Sequence, residues 1–473
     1  MSDAAIAGIG AYAPRLRIAA GEFEEAWGTF DAAGVEEKAV PEADEDALTM
    51  GVEAASRALS AAEADESDVR LLAFATTTPP MAEEDLTARL TSILGTPENA
   101  QTRTLTGSTR AGAQALTTAL AAGPWDDGVG LVIAGDCPQG DPDSGIEHAA
   151  GAGAGAIVVD NAPGVVLGTG SHVEPYPGTR FRQSGDDETM GLGVTQYDRQ
   201  AFITALSGAI DNLGAMSDGV DAAVVQSPDG KLPYRAAGAL GVDTETIAAA
   251  ETVNTLGDTG TASVFLGAAT AFADGAERVL LAAYGSGAGA TVAVVDGAVP
   301  VECTLAGDAY LTYAEYLRRR GEITSDEPEG GGAYVSVPSW QRTIPQRHRL
   351  VAGECPACKA LNFPPGGACR GCNTTQKYED IQLPGTGTAE AITTIAQGGA
   401  PTEFVAQQSQ SGPFVSAVVA LEGPDGARTV SVPTQILASD HDVTVGTAVK
   451  TTVRRVYTQE GITRYGFKMR VVE

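Results

Sequence analysis

Four of the six cysteines of this 473-residue chain lie in the stretch CPACKALNFPPGGACRGC, as two C-x2-C knuckles, Cys355/Cys358 and Cys369/Cys372. Two such pairs can place four thiolates at the corners of a tetrahedron, the geometry of a structural Zn2+ site. Phe363-Pro364-Pro365-Gly366-Gly367 between them is a turn signal that would return the chain to the site. Two disulfides, or four free thiols, are the alternative readings of the same residues. Nucleophilic chemistry has weaker support. Ser108 and Thr109 carry hydroxyls without a recognisable His/Asp pairing. Cys137, after a strand, and Cys303, in VECTL, read as structural cysteines. His148 reads as a packing or surface residue, and His172, His348 and His441 as surface residues.

The remainder of the chain must position these groups. Its length allows two or three domains. No run of about 18 apolar residues predicts a transmembrane helix, and the N-terminus lacks the charged and apolar regions of a secretory signal. Cysteines gathered in a metal-type cluster fit a reducing cytoplasm. The net charge of −31, with normal apolar content, reads as an acidic surface adapted to high salt, where screening removes self-repulsion. Such a surface argues against nucleic acid as the main partner. The barrel segment carries one basic and aromatic cluster, Arg454, Arg455, Tyr457, Arg464, Tyr465 and Phe467, of the composition that single-strand grooves need.

Residues 1 to about 325 alternate short apolar strands (Ala4–Ala11, Leu71–Thr76, Val129–Ala134, Ala154–Asp160, Ala222–Gln226, Val279–Ala283, Ala290–Val295) with helices such as Asp46–Leu59 and Gly112–Ala122. This pattern predicts an α/β body of mixed sheets. The glycines of Tyr284–Gly289 lie between two strands, which excludes a dinucleotide-binding turn. Thr324–Gly332 reads as a linker, Val337–His348 precedes the cysteine cluster, and Leu383–Glu473 alternates with period 2 between turns at Gly385, Gly398-Gly399, Pro424–Gly426 and Gly446. That pattern predicts a small β-barrel.

These residues carry a resemblance. Gly8-Ile9-Gly10-Ala11-Tyr12-Ala13-Pro14-Arg15, Val35–Pro41 with Asp44-Glu45-Asp46, Gly135-Asp136 with Gln139-Gly140, Tyr284–Gly289 and Tyr313–Gly321 make residues 1–325 similar to archaeal-type 3-hydroxy-3-methylglutaryl-CoA synthase, of the thiolase superfamily. Gly353-x-Cys-x2-Cys and Phe363–Pro365 make the remainder similar to the zinc-ribbon/OB-fold (DUF35-type) protein that accompanies such enzymes. The resemblance implies a thiolase-like body of two related mixed-sheet halves at 1–325, a linker at 326–333, a zinc ribbon with a preceding helix at 334–382 and an all-β OB-fold at 383–473.

The family's chemistry needs a cysteine nucleophile in Cys-Lys-Ala-Gly, and the matching residues are Thr109-Arg110-Ala111-Gly112. Its glutamate acid/base aligns with Thr77, its histidine with Gln226, and an asparagine with Asp258. Threonine needs a strong adjacent base, and neither Thr77 nor Gln226 exchanges protons near neutral pH. The resemblance therefore implies a catalytically degenerate synthase-like protein that binds acyl-CoA or scaffolds a thiolase-superfamily enzyme. Its implied ligand residues are Lys231, Gly285, Ser286, Gly287 and Gly289. Its implied partners are a second copy or a thiolase, with no nucleic acid and no membrane. The alternative is an active acyl-CoA acyltransferase using other residues.

Overall fold

The computed structural model describes residues 5–125, 127–162, 164–214, 219–323, 336–396, 400, 402–437, 443–459 and 461–472. The linker Thr324–Gly332, the turn Gly398-Gly399 and His441 lie outside the described residues. The chain divides into two compact units, one of Met1–Pro41, Asp46–Thr91 and Thr96–Tyr316, the other of Glu42–Glu45, Ser92–Gly95 and Leu317–Glu473.

The first unit contains β1 (Ala5–Tyr12), β2 (Leu16–Ala19), β3 (Glu37–Val40), β4 (Val69–Ala75), β5 (Gln101–Leu105), β6 (Val129–Asp136), β7 (Gly153–Asp160), β8 (Gly164–Val173), β9 (Ala222–Val225), β10 (Arg278–Gly285), β11 (Gly289–Asp296), β12 (Val301–Thr304) and β13 (Ala309–Tyr310). Its main sheet runs β5-β4-β6-β7-β1-β8-β11-β10-β9, with β12 paired to β1. The order repeats itself from the two ends. In one half β4 is parallel to β6, then β7 and β1 follow antiparallel; in the other β9 is parallel to β10, then β11 and β8 follow antiparallel. The first strands of the halves, β1 and β8, meet antiparallel in the middle. The described second half has no counterpart of the edge strand β5.

Strands buried on both faces read as continuous apolar runs, which is why β4, β6, β7, β10 and β11 were legible. Helices Ala111–Ala122 and Ser263–Ala273 pack against the two halves, and small residues let them approach closely. A Cβ at Gly112 would stand 2.5 Å from the Thr261 carbonyl oxygen, and one at Gly10 of β1 would stand 2.1 Å from the carbonyl oxygen of Ala54 in helix Ala47–Ala61. Two of the resemblance motifs meet physically: the buried Lys38 Nζ reaches the Tyr316 hydroxyl at 3.0 Å and lies over the Phe23 and Tyr316 rings. His148 is fully buried and stacks on Phe30, so its role is packing. Cys303 corrects the sequence reading, because it is exposed on β12.

In the second unit, short helices Val337–Arg342 and Ile344–Arg349 precede β14 (Val351–Glu354), β15 (Leu361–Asn362) and β16 (Glu379–Gln382), which form a three-stranded sheet. The strands β17 (Thr386–Ile395), β18 (Phe414–Glu422), β19 (Thr429–Leu437), β20 (Ala448–Gln459) and β21 (Ile462–Val471) close a barrel in the order β17-β18-β19-β21-β20, with β19 and β21 parallel. This is the five-stranded Greek-key arrangement of an OB-fold. Alternation along β18 puts Val415, Ala417, Val419 and Leu421 into its core. The single-strand groove suggested by composition is not present as such. Arg454 is buried and ion-paired to Glu45 at 2.9 Å, Tyr465 is buried, and Lys468 holds Asp44 at 2.7 Å.

Candidate functional site

The repeat within the first unit brings the sequence-predicted positions to comparable places. Thr77 follows β4 and Gln226 follows β9, the equivalent strands of the two halves. Thr109 precedes helix Ala111–Ala122, and Asp258 precedes the turn leading into helix Ser263–Ala273. Strand ends and helix starts converge here because the two halves share one sheet.

The hub is a residue that sequence reasoning treated only as framework. Asp136, at the end of β6 and fully buried, accepts six hydrogen bonds: from the hydroxyls of Thr76, Thr77 and Thr78 (2.9, 2.9 and 3.0 Å) and the backbone N–H groups of Thr77, Thr78 and Thr261 (2.6, 3.0 and 2.8 Å). Both its oxygens are engaged, which leaves it a structural anchor for Thr77. Thr109 is buried, and its hydroxyl donates to the Tyr284 carbonyl at 2.7 Å. Gln226 is buried with Nε2 3.5 Å from one Asp258 oxygen, which also accepts from the Gly260 N–H at 3.0 Å. The other Asp258 oxygen is ion-paired to Arg180.

Arg180 and Arg182 belong to the segment between β8 and helix Thr195–Leu213, and no sequence signal marked them. The Arg182 guanidinium donates to the Thr77 carbonyl. The segment is fastened by Tyr176 N–H to Gly287 O at 2.8 Å and by Thr189 N–H to Gln139 O at 2.7 Å. Gln226 Oε1 and Arg180 Nη2 are buried without a hydrogen-bond partner. Asp258 differs from an asparagine by its charge, and that charge is what makes an arginine favourable here.

Of the glycine loop, Gly285 and Gly289 have packing reasons. A Cβ at Gly285 would meet the Ser108 hydroxyl at 2.4 Å, and one at Gly289 the Arg110 guanidinium at 2.9 Å. Gly287, at φ +90°, faces open space. Burial holds Arg110 below its ordinary pKa. Lys231 is exposed, beside the turn closed by Asp229. Cys137 is half-buried with its thiol 3.8 Å from the Thr78 hydroxyl.

In the second unit the four cysteine sulfurs lie within 4.8 Å of one another, with Cys355–Cys372 at 3.7 Å and Cys358–Cys369 at 3.6 Å. Disulfide sulfurs would be about 2.0 Å apart, whereas sulfurs on a tetrahedral Zn2+ at about 2.3 Å stand about 3.8 Å apart. The donor set and spacing fit zinc and exclude the disulfide reading. Against desolvation, which raises it, donors at Cys372, Gly371 and Asn362 bring the Cys369 thiol down to about 6. Thiolate-stabilising N–H groups of this kind are what a zinc knuckle supplies around its metal.

Comparison with known proteins follows this division. Residues 342–376 match the ChsH2 rubredoxin-like zinc ribbon domain. The chain is 30% identical over 343 residues to the hydroxymethylglutaryl-CoA synthase of Methanopyrus kandleri, covering 67% of this chain and 97% of the relative. It is 31% identical over 340 residues to that of Thermococcus onnurineus, covering 68% and 97%. The chain belongs to the hydroxymethylglutaryl-CoA synthase family. The fold agrees with MvaS solved in complex with 3-hydroxy-3-methylglutaryl coenzyme A (TM-score 0.59, 19% identity, 70% of this chain and 95% of that one). It also agrees with HMG-CoA synthase complexed with CoA (TM-score 0.60, 18% identity, 71% and 94%). Membership in this family extends over about two thirds of the chain, and the zinc ribbon and barrel are added to it. No helix among the described residues is long and apolar enough to cross a membrane.

Proposed function

We propose that this member of the hydroxymethylglutaryl-CoA synthase family is catalytically degenerate and serves as an acyl-CoA-binding or scaffolding subunit for a thiolase-superfamily enzyme. The carrying observation is that Thr109, Thr77 and Gln226, which the motif resemblance sets at the family's three chemical positions, are each tied into the fold. Thr109 donates to a backbone carbonyl, Thr77 to the saturated Asp136, and Gln226 lies against an Asp258 neutralised by Arg180. A hydroxyl hydrogen-bonded to a carbonyl has no base to take its proton. The CoA and 3-hydroxy-3-methylglutaryl-CoA complexes of proteins of this fold support a CoA-type ligand, with Lys231, Gly285, Ser286, Gly287 and Gly289 as its binding residues. Cys355, Cys358, Cys369 and Cys372 would hold a structural Zn2+ in a DUF35-type module. The domains would divide at 1–325, 326–333, 334–382 and 383–473, and the setting would be a high-salt cytoplasm.

Purified protein given acetyl-CoA and acetoacetyl-CoA should release no CoA thiol above background. A robust condensation rate that persists when zinc is removed would overturn the reading. One observation favours an enzyme instead: the half-buried Cys137 thiol lies beside Thr78, within the same cluster. Intact-mass analysis after incubation with acyl-CoA separates the two, since an acyl adduct on Cys137 or Thr109 belongs to the enzyme reading alone.

A further inference from the structure

Acidic residues outnumber basic ones 46 to 14 in residues 1–316, yet residues 317–473 carry 15 acidic and 16 basic residues. Several of these bases have acid partners among the described residues. Arg454 pairs with Glu45, and Arg428 with Glu354 and Asp425. One group does not. The Trp340 ring, buried in helix Val337–Arg342, holds the Arg347 guanidinium at 4.3 Å and that of Arg464, from β21, at 4.8 Å. The two like charges are thus no more than about 9 Å apart.

Arg464 is only 6% exposed, its Nε has no hydrogen-bond partner, and no carboxylate among the described residues pairs with it. Arg347 uses its Nε on the Thr343 hydroxyl at 2.9 Å and likewise has no carboxylate among the described residues. The Tyr457 hydroxyl is buried without a hydrogen-bond partner, and Tyr457 packs edge-on to Trp340 at 6.1 Å. The same tyrosine lies close enough to Arg347 to act on its charge. Burial holds Arg347 below its ordinary pKa, Tyr457 opposes this, and Arg464 adds to it.

A buried guanidinium without a counter-ion is costly, and placing a second one against the same ring raises that cost. We propose that Arg347, Arg464 and the Tyr457 hydroxyl form a binding site for a phosphate monoester. A carboxylate satisfies one guanidinium fork, whereas a tetrahedral dianion offers enough oxygens for two forks and a hydroxyl donor. Trp340 is already covered by both guanidinium groups, so recognition is of the phosphate and not of a stacked base. The source is either free inorganic phosphate or the phosphate of a nucleotide. This site lies wholly within the second unit and does not depend on the function proposed for Thr77, Thr109 and Gln226.

The test titrates the full-length, zinc-loaded protein at fixed ionic strength with inorganic phosphate and, separately, with adenosine 3′,5′-bisphosphate, reading heat and melting temperature. Saturable binding of either supports the site, and the stronger one names the source. Arg464→Gln should weaken binding at least tenfold and Tyr457→Phe several-fold. Arg347→Lys, which keeps the charge and loses the fork, should fall between wild type and Arg464→Gln. Arg103→Gln, an exposed charge on β5, should change nothing. Far-UV circular dichroism and zinc content check each variant's fold, and Tyr457→Phe keeps the test decisive if Arg464→Gln misfolds. Absence of saturable binding by wild type overturns the proposal, as does unchanged affinity in Tyr457→Phe and Arg464→Gln. A response only to a polyglutamate peptide or to single-stranded DNA would overturn it as well.

Discussion

At the residue scale, Thr109, Thr77 and Gln226, the residues on which the proposed loss of chemistry rests, are also packing residues. Thr109 gives the Tyr284 carbonyl a buried donor. Thr109→Ala should therefore lower stability by about 1–3 kcal/mol in a denaturant titration, the cost of an orphaned buried polar group, while leaving acyl-CoA turnover at background. Asp136→Ala should cost more, about 3 kcal/mol or above, because several buried donors lose their acceptor together. His148 supplies a pH dependence. Its Nδ1 accepts from the Asp31 N–H at 2.9 Å, and burial holds its pKa below the ordinary 6.5. The unfolded chain takes up this proton first as pH falls, so stability is lost from about pH 6.5 downward toward the lower folded value. In His148→Asn the melting temperature should vary less between about pH 7 and 5.

Among elements, the zinc ribbon and the strand–helix contacts of the body answer to different physics. In the ribbon a bound metal would replace a core, since β14 to β16 total few buried apolar groups. Elemental analysis should find one metal per chain, and Cys355→Ser with Cys358→Ser should abolish it and unfold the ribbon. In the body the constraint is distance. Gly10→Ala puts a methyl 2.1 Å from the Ala54 carbonyl oxygen and should destabilise by about 3 kcal/mol, read from thermal unfolding. Apolar runs made the buried strands legible. The strand β5, largely exposed at the sheet edge, and β8, with polar residues on its open face, lack such runs and were not marked.

On the scale of the whole molecule, charge is divided as well as large. Residues 1–316 hold 46 of the 61 acidic residues and 14 of the 30 basic ones. If this surface is adapted to salt, the melting temperature should rise with NaCl concentration in a calorimetric series, because screening removes self-repulsion. A melting temperature indifferent to salt would remove the high-salt reading.

The sequence by itself determined the cysteine spacing that places four sulfurs together, the family motifs and the order of body, ribbon and barrel, and it is the source of the proposed assignment of Thr109, Thr77 and Gln226 to the family's chemical positions. Those features are written in residue type and local spacing. Only the tertiary structure decided that Asp136 gathers the threonines, that Arg180 neutralises Asp258, and that Arg347 and Arg464 share one indole with no acid paired to them among the described residues. Their partners stand 59, 78 and about 120 residues apart along the chain, so chain closure around the sheet and barrel, not local pattern, brings them into contact.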